Sequence, residues 1–227
     1  MSLFKVQQAP SLKQQAYEGI KNAIILQKIP PGSALFERDL GESLEISRTP
    51  VREAILLLEM EGWVKSIPRK GTFVSQITIS DVEEVIQIRK ALESLIIELI
   101  IPIIKERDIE QLNEIYVKQL GQVEDNGQFI SVDKDFHIYL SELSGNRRLV
   151  YLMNTISEQI RWFGVSAVNL PNRKEQILKE HARIIDCLKN KEVEKAKKAA
   201  LEHIEHTRTA ILSSLNATNE SVSEEGE

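Results

Sequence analysis

A chain of 227 residues with 42% hydrophobic and 28% charged side chains fits a soluble globular protein with material for two ordinary domains. Its apolar runs exclude a membrane span, because Leu95-Ile96-Ile97 and Leu99-Ile100-Ile101 are split by Glu98 and stop at Pro102. A single Cys187 excludes an internal disulfide, and the first residues carry no apolar core with a small-residue cleavage site, so the expected location is cytoplasmic.

The net charge of −5 argues against nucleic acid as a partner only when taken in bulk. Residues 1–77 hold ten Lys/Arg and eight Asp/Glu, whereas the remainder holds nineteen and twenty-six. An acidic second part repels DNA and leaves binding to the first.

In chain order, residues 1–10 read as a flexible arm and residues 11–27 as a helix with Leu12, Ala16, Ile20, Ala23 and Ile24 on one face. Pro30-Pro31-Gly32 stops that helix and turns the chain. The stretch FERDLGESLEISRTPVR, residues 36–52, reads as a short helix, a tight turn and a second helix. Ser47, Arg48, Thr49 and Arg52 crowd the N-terminal end of the second helix, where free N–H groups and a partial positive charge suit phosphate oxygens. Arg also reaches a guanine edge with two parallel hydrogen bonds, as a major-groove reader requires. Val51, Ala54, Ile55, Leu58 and Met60 continue the helical apolar pattern, and Gly62 is placed to end it. Residues 63–67 and 72–75 read as strands joined by the basic turn Pro68-Arg69-Lys70-Gly71, which makes a wing. One such Arg is ordinarily solvated surface; two Arg and two hydroxyls on one turn, beside a basic hairpin tip, favour nucleic acid.

A second domain is expected over residues 78–215. Ser80-x-x-Glu83 has the capping-box pattern at its start. Helices follow at 80–101, 106–124, 129–144, 147–168, 173–190 and 191–215, with short connections that imply antiparallel neighbours. The expected fold is mainly α: a winged helix-turn-helix of three helices and a β-hairpin, then an antiparallel bundle of about six helices. Residues 216–227 read as a disordered acidic tail.

All four histidines, His137, His181, His203 and His206, fall in the second domain. Asp133 and His137 are four apart and share a helix face. With His181 and His203 on neighbouring helices, one carboxylate and three imidazoles can meet in one cavity, a donor set that suits Zn, Ni, Mn or Fe. Spacing alone leaves ordinary surface or core histidines as the simpler reading. Neither His-Glu-x-x-His nor Glu-x-x-His is present.

Two sets of motifs carry a family resemblance. PPGSALFERDL, SRTPVREAILLLEMEGWV and RKGTFV, over residues 30–74, resemble the winged helix-turn-helix of GntR-type bacterial transcription regulators. VDKDFHIYLSELSGN, KEHARIIDCLKN and AKKAALEHIEH, within residues 80–215, resemble the FCD effector domain of the FadR branch of that family. The resemblance implies DNA contact by Arg38, Arg48, Thr49 and Arg52, with Arg69, Lys70 and Gly71 in the wing. It also implies a divalent metal held by Asp133, His137, His181 and His203, with Zn or Ni ahead of Mn or Fe. Arg89 matches an Arg that helps hold acidic ligands in the family; the alternative is an exposed helical Arg paired with Glu84 or Glu93. Arg161 is a second candidate for the effector. With no extra helix before Ser80, the six-helix VanR-like subgroup fits better than the seven-helix one. Phe36 stands where the family has a small polar cap, and Glu45 where the turn often has Gly.

The function expected is a transcription regulator, a repressor acting as a homodimer on palindromic double-stranded operator DNA and controlled by a small carboxylate. Two alternatives remain open: a helical domain that is purely structural and metal-free, and a metal-dependent enzyme. The second lacks an assigned general base or nucleophile beside the ligands.

Overall fold

The computed structural model describes residues 10–224, with side-chain surroundings over residues 10–217. The arm expected at the N-terminus thus lies outside the described residues except for Pro10, as do residues 225–227. The chain forms two compact units that divide between Ile77 and Thr78.

In the first unit, α1 (Leu12–Ile25) starts at Ser11, whose side chain accepts the Gln14 N–H. Ala16, Ile20, Ile24 and Ile25 are buried, and the helix packs on α3 (Arg48–Met60) through Val51, Ala54 and Leu58. Leu12, expected on the packed face, is half exposed because it occupies the first turn, and Ile25 takes up the packing at the other end. Between these helices lies α2 (Glu37–Ser43), which begins at Phe36 without any side-chain cap. The α2–α3 turn places Glu45 at φ +56°, and Gly41 sits where an added Cβ would lie 3.0 Å from the Ile46 carbonyl oxygen. A larger residue at Gly41 would push the two helices apart. Gly62, at φ +82°, ends α3 in the left-handed conformation that glycine adopts without strain.

The wing is larger than the hairpin expected. β2 (Val64–Ile67) and β3 (Gly71–Val74) pair antiparallel with Val64 opposite Val74 and Ile67 opposite Gly71. A third strand, β1 (Ala34–Leu35), pairs with the other edge of β3. Two residues are too few to show an alternating pattern; β1 forms because the Pro-Pro-Gly turn lays the chain against Val74.

The second unit has six α-helices among the described residues: α4 (Ile79–Ile100), α5 (Glu106–Leu120), α6 (Asn126–Leu143), α7 (Arg147–Gly164), α8 (Arg173–Lys189) and α9 (Val193–Glu224). The capping box of α4 is set by Thr78 and Asp81, not by Ser80 and Glu83. The Asp81 carboxylate reaches the Thr78 N–H at 2.9 Å, while the Ser80 hydroxyl donates to Glu84 and Glu83 accepts from Arg208. α6 begins three residues early because Asp125 accepts the Gln128 N–H. α7 stops at Gly164 and is followed by one 3-10 turn (Ala167–Asn169). α9 continues through Glu224, where an irregular tail was expected from residue 216, since extending an existing helix needs no new nucleus. Ile97, Ile100, Leu112, Phe136, Met153 and Leu188 centre the core, and Cys187 is buried against it. No helix among the described residues is long and apolar enough to cross a membrane.

Candidate metal centre and nucleic-acid interface

The residues expected to touch DNA are all exposed on the first unit. Ser47 starts α3 without a side-chain capping bond, so the first-turn N–H groups lack a side-chain acceptor beside Arg48 and Thr49. Arg38 lies on α2, 3.1 Å from Asp39. Arg69, at φ +64°, Lys70 and Gly71 form the tip of the β2–β3 hairpin. Arg52 is less free than expected. Its Nε and Nη2 donate to the two carboxylate oxygens of Glu37, both at 2.8 Å. That bond holds one edge of the guanidinium and leaves Nη1 outside the pair.

In the second unit, Asp133 and His137 from α6, His181 from α8 and His203 from α9 converge. One ligand atom from each lies within 4.8 Å of the others, and all four residues are buried. Two donors on opposite sides of a bound metal are about 4.4 Å apart at most, so the cluster is a few tenths of an ångström wider than bonding size. The Nε2 atoms of His137, His181 and His203 are buried without a hydrogen-bond partner. Three orphaned ring nitrogens around one carboxylate are costly unless something sits between them. The donor set and the orphaned atoms therefore fit a divalent metal.

For His181 and His203 the other ring nitrogen explains why Nε2 is the free one. His203 Nδ1 is 2.7 Å from Glu180 and His181 Nδ1 is 2.8 Å from Gln119 Oε1. Gln119 Nε2 donates to Asp133 at 3.3 Å, which fixes the amide so that its oxygen faces His181. His137 Nδ1 lies 3.0 Å from Glu93, although the ring N–H is not aligned on that oxygen. The partner atoms of His181 and His203 are acceptors only, so these two rings carry their proton on Nδ1 and turn the Nε2 lone pair inward. The His181 ring is also clamped by Phe136, stacked at 4.1 Å between centroids.

Burial lowers the pKa of His181, well below 6.5, and of His203, against the pull of Asp133 and Glu180. Burial opposes ionisation of Asp133, but His181, His137, His203 and Arg89 outweigh it and bring the carboxyl down to about 2. Ring and carboxylate compete for one proton, and burial of the rings decides it. His181 and His203 are neutral and Asp133 is ionised, the forms a metal requires.

Arg89 is buried, not exposed; its Nε donates to Glu93 at 2.7 Å and its Nη1 has no hydrogen-bond partner. Against its own burial, Glu93 is held ionised by His137 and Arg89. Arg161 lies on α7, with its Nε buried and without a hydrogen-bond partner. It pairs with Glu158 at 3.1 Å and does not line the cavity that opens beside Asp133. Arg173 does line it, and its guanidinium bonds Glu180 and Thr207. His206 is a neighbour of the centre only through Glu180, at 2.6 Å. Sequence reasoning missed Gln119, Glu180, Arg173 and Thr207. Glu93 had a signal, its i+4 spacing from Arg89; Gln119 lies on a different helix from Asp133 and His181, and Glu180 from His203 and His206, so neither carries one.

Residues 12–74 match the family described as bacterial regulatory proteins, gntR family, and residues 84–206 match the FCD domain. The HTH-type transcriptional regulator YdhC of Bacillus subtilis (strain 168) is 34% identical over 213 residues, covering 91% of this chain and 93% of that one. The HTH-type transcriptional repressor RspR of Escherichia coli (strain K12) is 23% identical, covering 88% and 89%. Among solved structures, E. coli McbR/YncC superposes with a TM-score of 0.77 at 22% identity, covering 89% of this chain and 98% of that one. A GntR regulator from Rhodococcus sp. RHA1 gives 0.77 at 24%, covering 88% and 97%.

Proposed function

Because the chain belongs to the GntR family of bacterial transcription regulators and carries an FCD domain, we propose that it is a metal-containing repressor released or engaged by a small carboxylate. It is a regulator and not an enzyme. The first unit holds operator DNA: Arg48, Thr49 and Ser47 at the start of α3, Arg52 on its second turn, Arg38 from α2, and Arg69, Lys70 and Gly71 from the wing. One relative is itself named a repressor.

The single observation that carries the metal is the set of three buried Nε2 atoms without a partner around Asp133. Asp133, His137, His181 and His203 hold the ion, Zn or Ni before Mn or Fe. A divalent metal that takes five or six ligands keeps one or two positions beside four protein donors for a carboxylate oxygen. Arg89, with a buried unpaired Nη1, is placed to take a carboxylate as well. Arg161 stays the second candidate: its Nη1 is engaged with Glu158, while its buried Nε has no hydrogen-bond partner. The effector acts only if the DNA-bound and free states hold it with different affinity. Six α-helices among the described residues of the second unit support the VanR-like subgroup.

We also assign a homodimer in the cytoplasm. Ile88, Leu95 and Leu99 are exposed on one side of α4, and α7 beside it exposes Tyr151 and Leu152. An apolar stripe of this kind is what a second copy would cover.

Native mass spectrometry of untagged protein, purified without chelator, tests the centre. A dimer with one metal per chain, lost in His181→Ala, is expected. A dimer that stays metal-free after Zn, Ni and Mn are added would leave the helical domain purely structural. Titration of Arg48→Ala with Arg52→Ala against upstream DNA tests the other half; unchanged affinity and sequence preference would exclude α3 as the reader.

A further inference from the structure

The cavity beside Asp133 lies among α6, α7, the 3-10 turn, α8 and α9. Nine of its twelve lining residues are apolar or glycine, with Phe129, Ile130, Ile160, Val168, Ile177 and Ile211 the largest. The three polar ones are Asp133, Arg173 and Thr207.

All three already make hydrogen bonds within the protein. Arg173 Nη2 donates to the Thr207 hydroxyl at 2.8 Å, and Arg173 Nη1 is 3.3 Å from both oxygens of Glu180. The Thr207 hydroxyl in turn donates to the His203 carbonyl at 3.0 Å. Asp133 is engaged by Gln119 and faces the histidines. Beyond these bonds the lining offers a hydroxyl only the remaining N–H groups of Arg173 and the Asp133 oxygens, against nine residues that are apolar or glycine. A hydroxyl buried against that apolar lining loses its water and gains nothing. An alkyl or aryl body, in contrast, meets side chains of its own kind.

From this we infer that the effector is a carboxylate with a compact apolar body, a branched-chain or aromatic monoacid, and not a polyhydroxylated sugar acid. The carboxylate is held at the centre and the body fills the cavity. The inference rests on the reading of the Asp133 centre as an effector site. The space free for the centre of a water-sized sphere is only about 20 Å³, so the body enters by pushing the walls apart. Ala167 and Ala210 stand in those walls and are small enough to give way or to be filled.

The test uses the full chain loaded with Zn2+ and a panel of isovalerate, benzoate and phenylacetate against gluconate and glucuronate, read by calorimetry and by shift of the melting temperature. Each unpartnered hydroxyl lowers affinity about tenfold to a hundredfold, so the apolar acids are expected to bind at least tenfold tighter. Sugar acids binding as well or better would overturn the inference and leave the effector reading intact. If neither class binds with Zn2+ in place, both fall. Location is tested separately with Ala210→Leu and Ala167→Leu, made singly so that one failure to fold does not decide it. Either variant should bind Zn2+ as the parent does and lose isovalerate and benzoate at least tenfold. Both variants folding and binding those acids unchanged would place the body elsewhere and overturn the assignment.

Discussion

Replacing Gln119 by leucine removes a residue that touches no ligand and still should cost the centre its metal. Gln119 is fully buried and does two things at once: it accepts the His181 Nδ1 proton at 2.8 Å and donates to Asp133 at 3.3 Å. In Gln119→Leu the His181 ring loses its acceptor. Its proton is then free to move to Nε2, where Asp133 lies 3.5 Å away, and the lone pair turns out of the centre. Loss of an outer partner of a ligating histidine lowers metal affinity about 10- to 100-fold, or roughly 1.4–2.7 kcal/mol. Leucine is close in size, so the packing change is small, and the orphaned N–H adds a stability loss of about 1–3 kcal/mol to the metal-free protein. Competition against a fluorescent Zn2+ chelator measures the first quantity and urea unfolding without metal the second. A Zn2+ affinity within about threefold of the parent, in a folded variant, would refute the argument that Gln119 sets the ring. Loss of DNA affinity in the metal-free state would also count against it, because Gln119 belongs to the second unit.

Glu37→Ala should have an unusual signature on DNA. The carboxylate repels phosphates but holds Arg52, so binding to unrelated DNA is expected to rise while the ratio of specific to unrelated binding falls about tenfold; a ratio left unchanged in electrophoretic titrations would mean that Arg52 reads nothing. Acid should weaken the metal-free protein. His181 and His203 have folded pKa values below 6.5, so below that pH the unfolded chain binds more protons and stability falls as pH drops. Asp133, at about 2 against 3.8, adds stability that is full above 3.8 and is lost towards pH 2; urea midpoints flat from pH 7 to 5 would contradict the first of these. Leu95→Glu with Leu99→Glu should convert the proposed dimer to monomer at micromolar concentration in sedimentation velocity, with the helical signal retained; an intact dimer would move the interface off the α4 stripe.

Much of the architecture was legible because it is local. The α3 apolar positions, the Gly62 stop and the hairpin turn are set by spacings of one to four residues, and the same holds for Asp133 and His137 on one helix face. Local rules also misplaced things where two candidates competed. Thr78 and Ser80 both suit the start of α4, and the reach of Asp81 chose Thr78. A two-residue strand has no periodicity, so β1 was invisible until the chain folded back on β3.

By itself, the sequence determined the class of protein and singled out α3 and the four side chains that meet at the centre. The tertiary structure decided what those donors can do. Gln119 meets His181 from 62 positions away in sequence, Glu180 joins His203 to His206 and Arg173, and Glu37 crosses a turn to hold Arg52. Partners of this kind depend on which faces of two helices dock and at what depth. That is settled by the packing of apolar side chains over the whole unit, and no spacing within one helix encodes it.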